Sequence, residues 1–93
     1  STPSTRTVSG VRSSQHIIEV KVPPGSRRLC ALNKEGETVI YFEVNSERSP
    51  TETARFTCVG TGHGEVPADG TYFDTVMDMN GFVWHLYFLD QTG

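Results

Sequence analysis

His63 and His85 are the residues of this chain best equipped for chemistry, and Asp74 and Asp78 stand between them in the sequence. An imidazole beside a carboxylate is the raw material of general acid–base catalysis, because histidine changes charge near neutral pH. If the loop carrying His63 folds back over the last hairpin, His63 approaches that surface and a hydrolase with a histidine base becomes conceivable. The plainer reading is stronger. No Ser, Cys or Lys stands in a recognised nucleophile motif. A histidine after Thr-Gly in a tight loop commonly bonds a backbone group, and one inside a strand commonly pairs with its cross-strand neighbour. No residue is therefore assigned a catalytic role, and the chain is read as a protein other than an enzyme.

Metal chemistry is the second candidate. Cys30, Cys58, His63 and His85 are all zinc-ligand types. Their spacing contains neither C-x2-C nor H-x3-H, and His16 does not improve it. No metal and no cofactor is expected. The third candidate is an anion nest. Gly60, Thr61, Gly62, His63 and Gly64 would expose successive backbone N–H groups of the kind that hold phosphate. With Arg27 or Arg28 close by, such a loop would bind or sequester a phosphate or nucleotide. No Gly-Lys-Ser/Thr follows, as a phosphate-binding P-loop requires, and no helix follows, as a dinucleotide site requires. A glycine-rich bend between two strands explains the same residues without a ligand.

These groups must be positioned by strands. From residue 15, Ile18, Val20 and Val22 alternate with Ile17, Glu19 and Lys21, the pattern of a half-buried strand. Pro23-Pro24-Gly25 ends it. A second strand is expected over 27–32, then a short loop at residues 33–36 in which Gly36 can take positive φ. The third, over 37–44, places Ile40, Phe42 and Val44 on one face. Residues 45–54 are polar and contain Pro50, which makes them a surface loop. The fourth strand, over 54–59, sets Phe56 and Cys58 on one face. After the glycine loop come a fifth strand over 71–77, the hairpin signal Asn80-Gly81, and a sixth over 82–89. No stretch keeps a helical repeat of apolar residues. The fold class is all-β: a small antiparallel sandwich or partly open barrel, with neighbouring hairpins from strands two and three and from strands five and six. Residues 1–14 are polar and read as a flexible arm or irregular edge; residues 15–93 form one β domain.

The sixth strand is apolar on both faces. Phe82, Trp84, Leu86 and Phe88 share one; Val83, His85, Tyr87 and Leu89 share the other. A strand of an antiparallel sheet with one wet face should alternate. So this one is either a central strand covered on both sides, the plainer reading, or it offers a face to a partner. A chain of 93 residues buries only roughly 60–65% of its unfolded surface and can hardly build two cores. A homodimer resting on the fifth and sixth strands, through Phe82, Trp84, His85, Tyr87 and Leu89, would supply the cover.

Composition narrows the partners. The formal charge is −3, which disfavours a phosphate-neutralising nucleic-acid binder. Of Arg6, Arg12, Arg27, Arg28, Arg48, Lys21 and Lys34 most fall in the first half, whereas Glu65, Asp69, Asp74, Asp78 and Asp90 fall in the second. The usual meaning is a solvated surface, but such asymmetry could also orient one subunit against another. No run approaches the roughly 18–20 apolar residues of a membrane span, and the polar first residues are no secretory leader, which favours an intracellular setting. Cys30 and Cys58 sit in apolar runs and read as buried thiols rather than a bridge.

The ordered set Pro24-Gly25, residues 39–44, Gly60-Thr61-Gly62-His63, Thr75-Val76 and Val83-Trp84-His85 resembles a family of short proteins of unknown activity encoded by tailed phages, many of them phages of actinobacteria. The resemblance covers about residues 15–89. It departs at the third strand, where the family pattern has a tryptophan and this chain has Tyr41-Phe42. It implies a phage origin and a host-cytoplasm setting, and no reaction. The expectation is a phage accessory protein that acts as a non-enzymatic protein-interaction module, homo-oligomeric and contacting a host or phage protein. The rival is a small-ligand binder using the glycine loop.

Overall fold

The computed structural model describes residues 3–9, 11–12, 17–45, 47–60 and 68–93. Among these lie eight strands: β1 (Pro3–Ser9), β2 (Val11–Arg12), β3 (Ile17–Val22), β4 (Arg27–Lys34), β5 (Glu37–Asn45), β6 (Glu52–Gly60), β7 (Thr71–Met77) and β8 (Val83–Thr92). Among the described residues there is no helix, and so none long and apolar enough to cross a membrane. The strands form two antiparallel sheets, ordered β1-β5-β4 and β2-β3-β6-β8-β7. The chain is thus an all-β sandwich whose sheets share no ladder and do not close into a barrel. The two pieces from the polar first residues take edge positions, β1 along β5 and β2 along β3.

Alternation decides what lies inside. Ile18, Val20 and Val22 of β3 are buried while Glu19 and Lys21 are exposed. Ile40, Phe42 and Val44 of β5 and Ala54, Phe56 and Cys58 of β6 complete the two facing inner surfaces. Phe56 is the hub: its ring centroid lies 6.2 Å from that of Phe42, 5.1 Å from Phe73 and 5.5 Å from Phe88. Edge-on and tilted contacts of this kind add to what burial alone provides. The Arg28 guanidinium closes the cluster from β4, 3.5 Å above the Phe88 ring.

The turns fix the register. Glu35 (φ 53°) and Gly36 (φ 89°) form the two-residue turn between β4 and β5, both in the left-handed region, as a type I′ turn demands. Asn33 Oδ1 accepts the Gly36 N–H at 3.2 Å. Between β7 and β8 the loop is one residue longer than a two-residue Asn-Gly hairpin. Gly81 N–H donates to the Asp78 carbonyl at 3.1 Å, Asp78 N–H donates to the Phe82 carbonyl at 2.9 Å, and Gly81 has φ 85°. Asp78 is the cause. Its Oδ1 accepts the N–H groups of both Asn80 and Phe82, each at 2.9 Å, which holds three residues in the loop.

β8 is central, with β6 on one side and β7 on the other. It is covered on one face only, against the expectation of a strand covered on both, because the sandwich has just two layers. Leu86 is fully buried, and Trp84 and Phe88 pack against the core. His85 and Tyr87 on the opposite face are only half-buried, as is Leu89 at the register shift between β6 and β8.

Candidate functional site

The register between β7 and β8 sets Thr75 opposite His85 and Tyr72 opposite Tyr87. Thr75 Oγ1 lies 2.6 Å from the Tyr72 hydroxyl and 2.9 Å from His85 Nδ1, so phenol, hydroxyl and imidazole form one hydrogen-bonded row on the outer face of the larger sheet. The rings of Tyr72 and Tyr87 meet edge to face at 5.8 Å. His85 therefore pairs with a cross-strand neighbour.

The two aspartates serve the fold. Asp74 Oδ2 accepts the Ala31 N–H of β4 at 2.8 Å and its Oδ1 accepts the Thr75 N–H at 2.8 Å. Asp78 holds the hairpin loop and also accepts the Trp84 indole N–H at 3.0 Å. That indole bond, followed by the loop N–H groups, keeps the Asp78 carboxyl below the usual carboxylate range. Across the same outer face, Arg55 grips Asp90 with two bonds of 3.0 and 2.8 Å and lowers the pKa of its carboxyl. The Arg55–Asp90 pair thus charges the β6–β8 part of this face, while Tyr72, Thr75, His85 and Tyr87 make its β7–β8 part aromatic and hydrogen-bonding.

Of the glycine loop, Gly60 falls within the described residues; Thr61, Gly62, His63 and Gly64 lie outside them. Gly60 ends β6 opposite Trp84, and a Cβ there would meet the indole ring at 3.2 Å. Glycine is present because the Trp84 ring lies over it. Arg28 is occupied by Phe88, four residues along β8 from Trp84, or about 13 Å away at the rise of a strand. Arg27 is exposed and stands opposite Glu43. Among the described residues no group of three or more His, Cys, Asp or Glu could hold a metal ion. Cys58 is buried, Cys30 half-buried, and the two are not joined in a disulfide.

The residues expected at an interface are divided. His85 and Tyr87 lie on the outer face, Leu89 is half-buried at the register shift with β6, Phe82 stands exposed at the hairpin loop, and Trp84 turns inward onto Gly60 and the core.

A feature the strand pattern did not disclose is the seam where the edges of the two sheets meet. β4 closes one sheet and β7 the other. The Asp74–Ala31 bond ties them, and five residues further along each chain the Met79 sulfur lies 3.3 Å from where a Cβ on Gly36 would be. The two strands therefore run side by side in the same direction, without a backbone ladder. Each carries a register shift at this seam, between Arg28 and Cys30 and between Tyr72 and Asp74. Among the described residues, the exposed large apolar side chains are Leu29 and Leu32 on β4, Tyr72 and Met77 on β7, and Met79 and Phe82 in the adjoining loop, between 40 and 75% exposed. Every one lies along this seam or at its tip. Leu29, Leu32, Tyr72, Met77 and Met79 escaped the sequence reading. The available signal was Met79 and Phe82 flanking Asn80-Gly81, two apolar residues in a hairpin loop where polar ones are usual.

No curated protein and no solved structure matches the chain. A family model matches residues 10–93, from the residue after β1 to the end of β8 and beyond it to Gly93. Over that span the chain belongs to the family described as a domain of unknown function, DUF7352.

Proposed function

We propose that this chain is a phage-encoded accessory protein of the host cytoplasm that works by binding protein rather than by catalysis, and that it self-associates. The phage setting is what the resemblance of its loop and strand motifs implies. The binding reading is carried by one observation: the exposed large apolar side chains among the described residues are gathered along the β4–β7 seam and its tip. Single apolar residues scattered over a surface mean nothing, but a set of them gathered on two adjoining edge strands and the loop beside them supports an interaction surface. Met77 and Met79 suit that role, since flexible thioether side chains adapt to a partner's shape.

The test compares wild type with a Leu32→Glu/Met79→Asp variant. Light scattering after size exclusion measures self-association, and affinity capture from expressing host cells, read by mass spectrometry, measures foreign partners. The variant is expected to stay folded by circular dichroism and to lose contacts that wild type makes. If it keeps all of them, self and foreign, the seam is not a binding surface.

A further inference from the structure

We infer that Asn80–Gly81 is a site of self-modification: the Asn80 side chain cyclises onto the Gly81 backbone nitrogen, releases ammonia and reopens with water to isoaspartate or aspartate, and Asp78 sets the pace. The inference goes beyond the binding reading and does not depend on it.

Three features single out this pair. The first is sequence. Asn33, Asn45 and Asn80 are the asparagines of the chain, and of these Asn80 alone precedes a glycine. Lys34 and Ser46 follow the other two, which lie in β4 and β5. Glycine carries no side chain to hinder attack by its own nitrogen. The second is access. Asn80 and Gly81 are both exposed, and a Cβ built on Gly81 would meet nothing within 4 Å, so solvent reaches the reacting bonds. The third is position. The pair stands in the loop between β7 and β8 and not in a ladder.

The chemistry needs water alone. Gly81 N gives its proton to solvent and bonds to Asn80 Cγ. The Cγ–Nδ2 bond breaks, and the side-chain nitrogen takes a proton from water and leaves as ammonia. Water then opens the cyclic imide. Cleavage between the imide nitrogen and Cγ leaves aspartate. Cleavage between that nitrogen and the Asn80 carbonyl carbon leaves isoaspartate, with the chain running through Cγ. Nothing is oxidised or reduced.

Ring closure requires the Asn80–Gly81 peptide unit to turn and the Gly81 N–H to be released. The loop resists both through Asp78. The Asp78 carbonyl accepts the Gly81 N–H at 3.1 Å, and its Oδ1 accepts the N–H groups of Asn80 and Phe82 at 2.9 Å each. The reaction therefore runs through loop openings, and its rate follows how often they occur. One hydrogen bond of ordinary strength holds such a rate down about three- to tenfold. Isoaspartate lengthens the backbone of this loop, so the bond from Gly81 to the Asp78 carbonyl cannot re-form as it was. Either product sets a new carboxylate between Met79 and Phe82, at the apolar tip of the seam.

Peptide mapping by mass spectrometry after incubation at neutral pH and body temperature tests this. In folded wild type the peptide spanning Asn80 is expected to gain about one mass unit, with isoaspartate among the products, while those spanning Asn33 and Asn45 stay unchanged. Asn80→Gln should abolish the gain. Asp78→Ala, folded by circular dichroism, should convert on the order of tenfold faster than wild type. If folded wild type forms no isoaspartate at Asn80 while the urea-unfolded chain converts completely, the site is overturned. A product that is aspartate alone overturns the cyclisation. Equal rates in wild type and Asp78→Ala overturn the control by Asp78. Should that variant not fold, wild type in and out of urea decides the same point, since equal rates there mean that the loop bonds restrain nothing.

Discussion

The aromatic cluster around Phe56 and the apolar band along the β4–β7 seam are built from the same kinds of residue and do opposite things. Phe42, Phe56, Phe73 and Phe88 meet one another between the sheets, and Phe56 is wholly buried. Leu32, Met77, Met79 and Phe82 stand more than half exposed. What separates them is position relative to the two layers. Side chains on inner faces find an opposing sheet, whereas side chains at the meeting of two edges have no third layer to receive them. The hydrophobic effect fixes the fold in the first region and leaves an unsatisfied surface in the second.

Four substitutions test that contrast, in descending order of effect on stability. Phe56→Ala removes the hub and leaves a cavity at the centre; urea unfolding should show a loss of about 3–5 kcal/mol, a large share of the 5–15 kcal/mol typical of a domain. A loss below about 1 kcal/mol would mean the cluster is not the core's anchor. Gly60→Ala drives a methyl towards the Trp84 ring at 3.2 Å. The ring must shift, at about 1–3 kcal/mol, and a red shift of tryptophan fluorescence should accompany the loss.

The third concerns pH. Asp78, Asp90 and Glu52 each have a folded pKa below the ordinary value, through bonds from Trp84, Arg55 and Gln91 respectively. A group lowered in the folded state contributes stability that is complete above its unfolded pKa and is lost as pH falls through the folded one. Thermal unfolding should therefore be insensitive to these groups at neutral pH and fall below about pH 4. Asp78→Asn should lower the melting temperature at pH 7 and flatten this acid decline. An unchanged acid limb would show that Asp78 is not among its causes. Last, Phe82→Ser at the seam should change stability by no more than about 0.5 kcal/mol while lowering the associated fraction in scattering. A large loss of stability there would erase the distinction between the two regions.

Much of the fold is legible in the sequence, for reasons that can be named. Alternation identified the six strands from residue 15 onward, since every second residue of β3, β5 and β6 meets the core. Gly36 marked a turn because it needs positive φ, and the short β4–β5 and β7–β8 connections made those pairs hairpins. The partition into sheets was not legible. β3 pairs with the distant β6 rather than with β4, and which edges then meet depends on the packing of whole sheets. The seam shares that origin. Leu29 and Leu32 look like ordinary strand residues until β4 is known to be an edge. His85 was read correctly as a cross-strand partner, but its mate, Thr75, depends on a loop length set by the Asp78 side chain.

The bond from Asp74 to Ala31 has a consequence for the order in which this molecule opens and closes. Its two ends are 43 residues apart, while the hairpins on either side form from near neighbours. Loop closure over so long a stretch comes after local pairing, so the seam is joined later than the hairpins on either side of it. The Ala31 amide is held there by a side chain rather than by a neighbouring strand. Its exchange with deuterium should outpace that of the amides inside the β4–β5 ladder and report the parting of the two sheets while both remain intact.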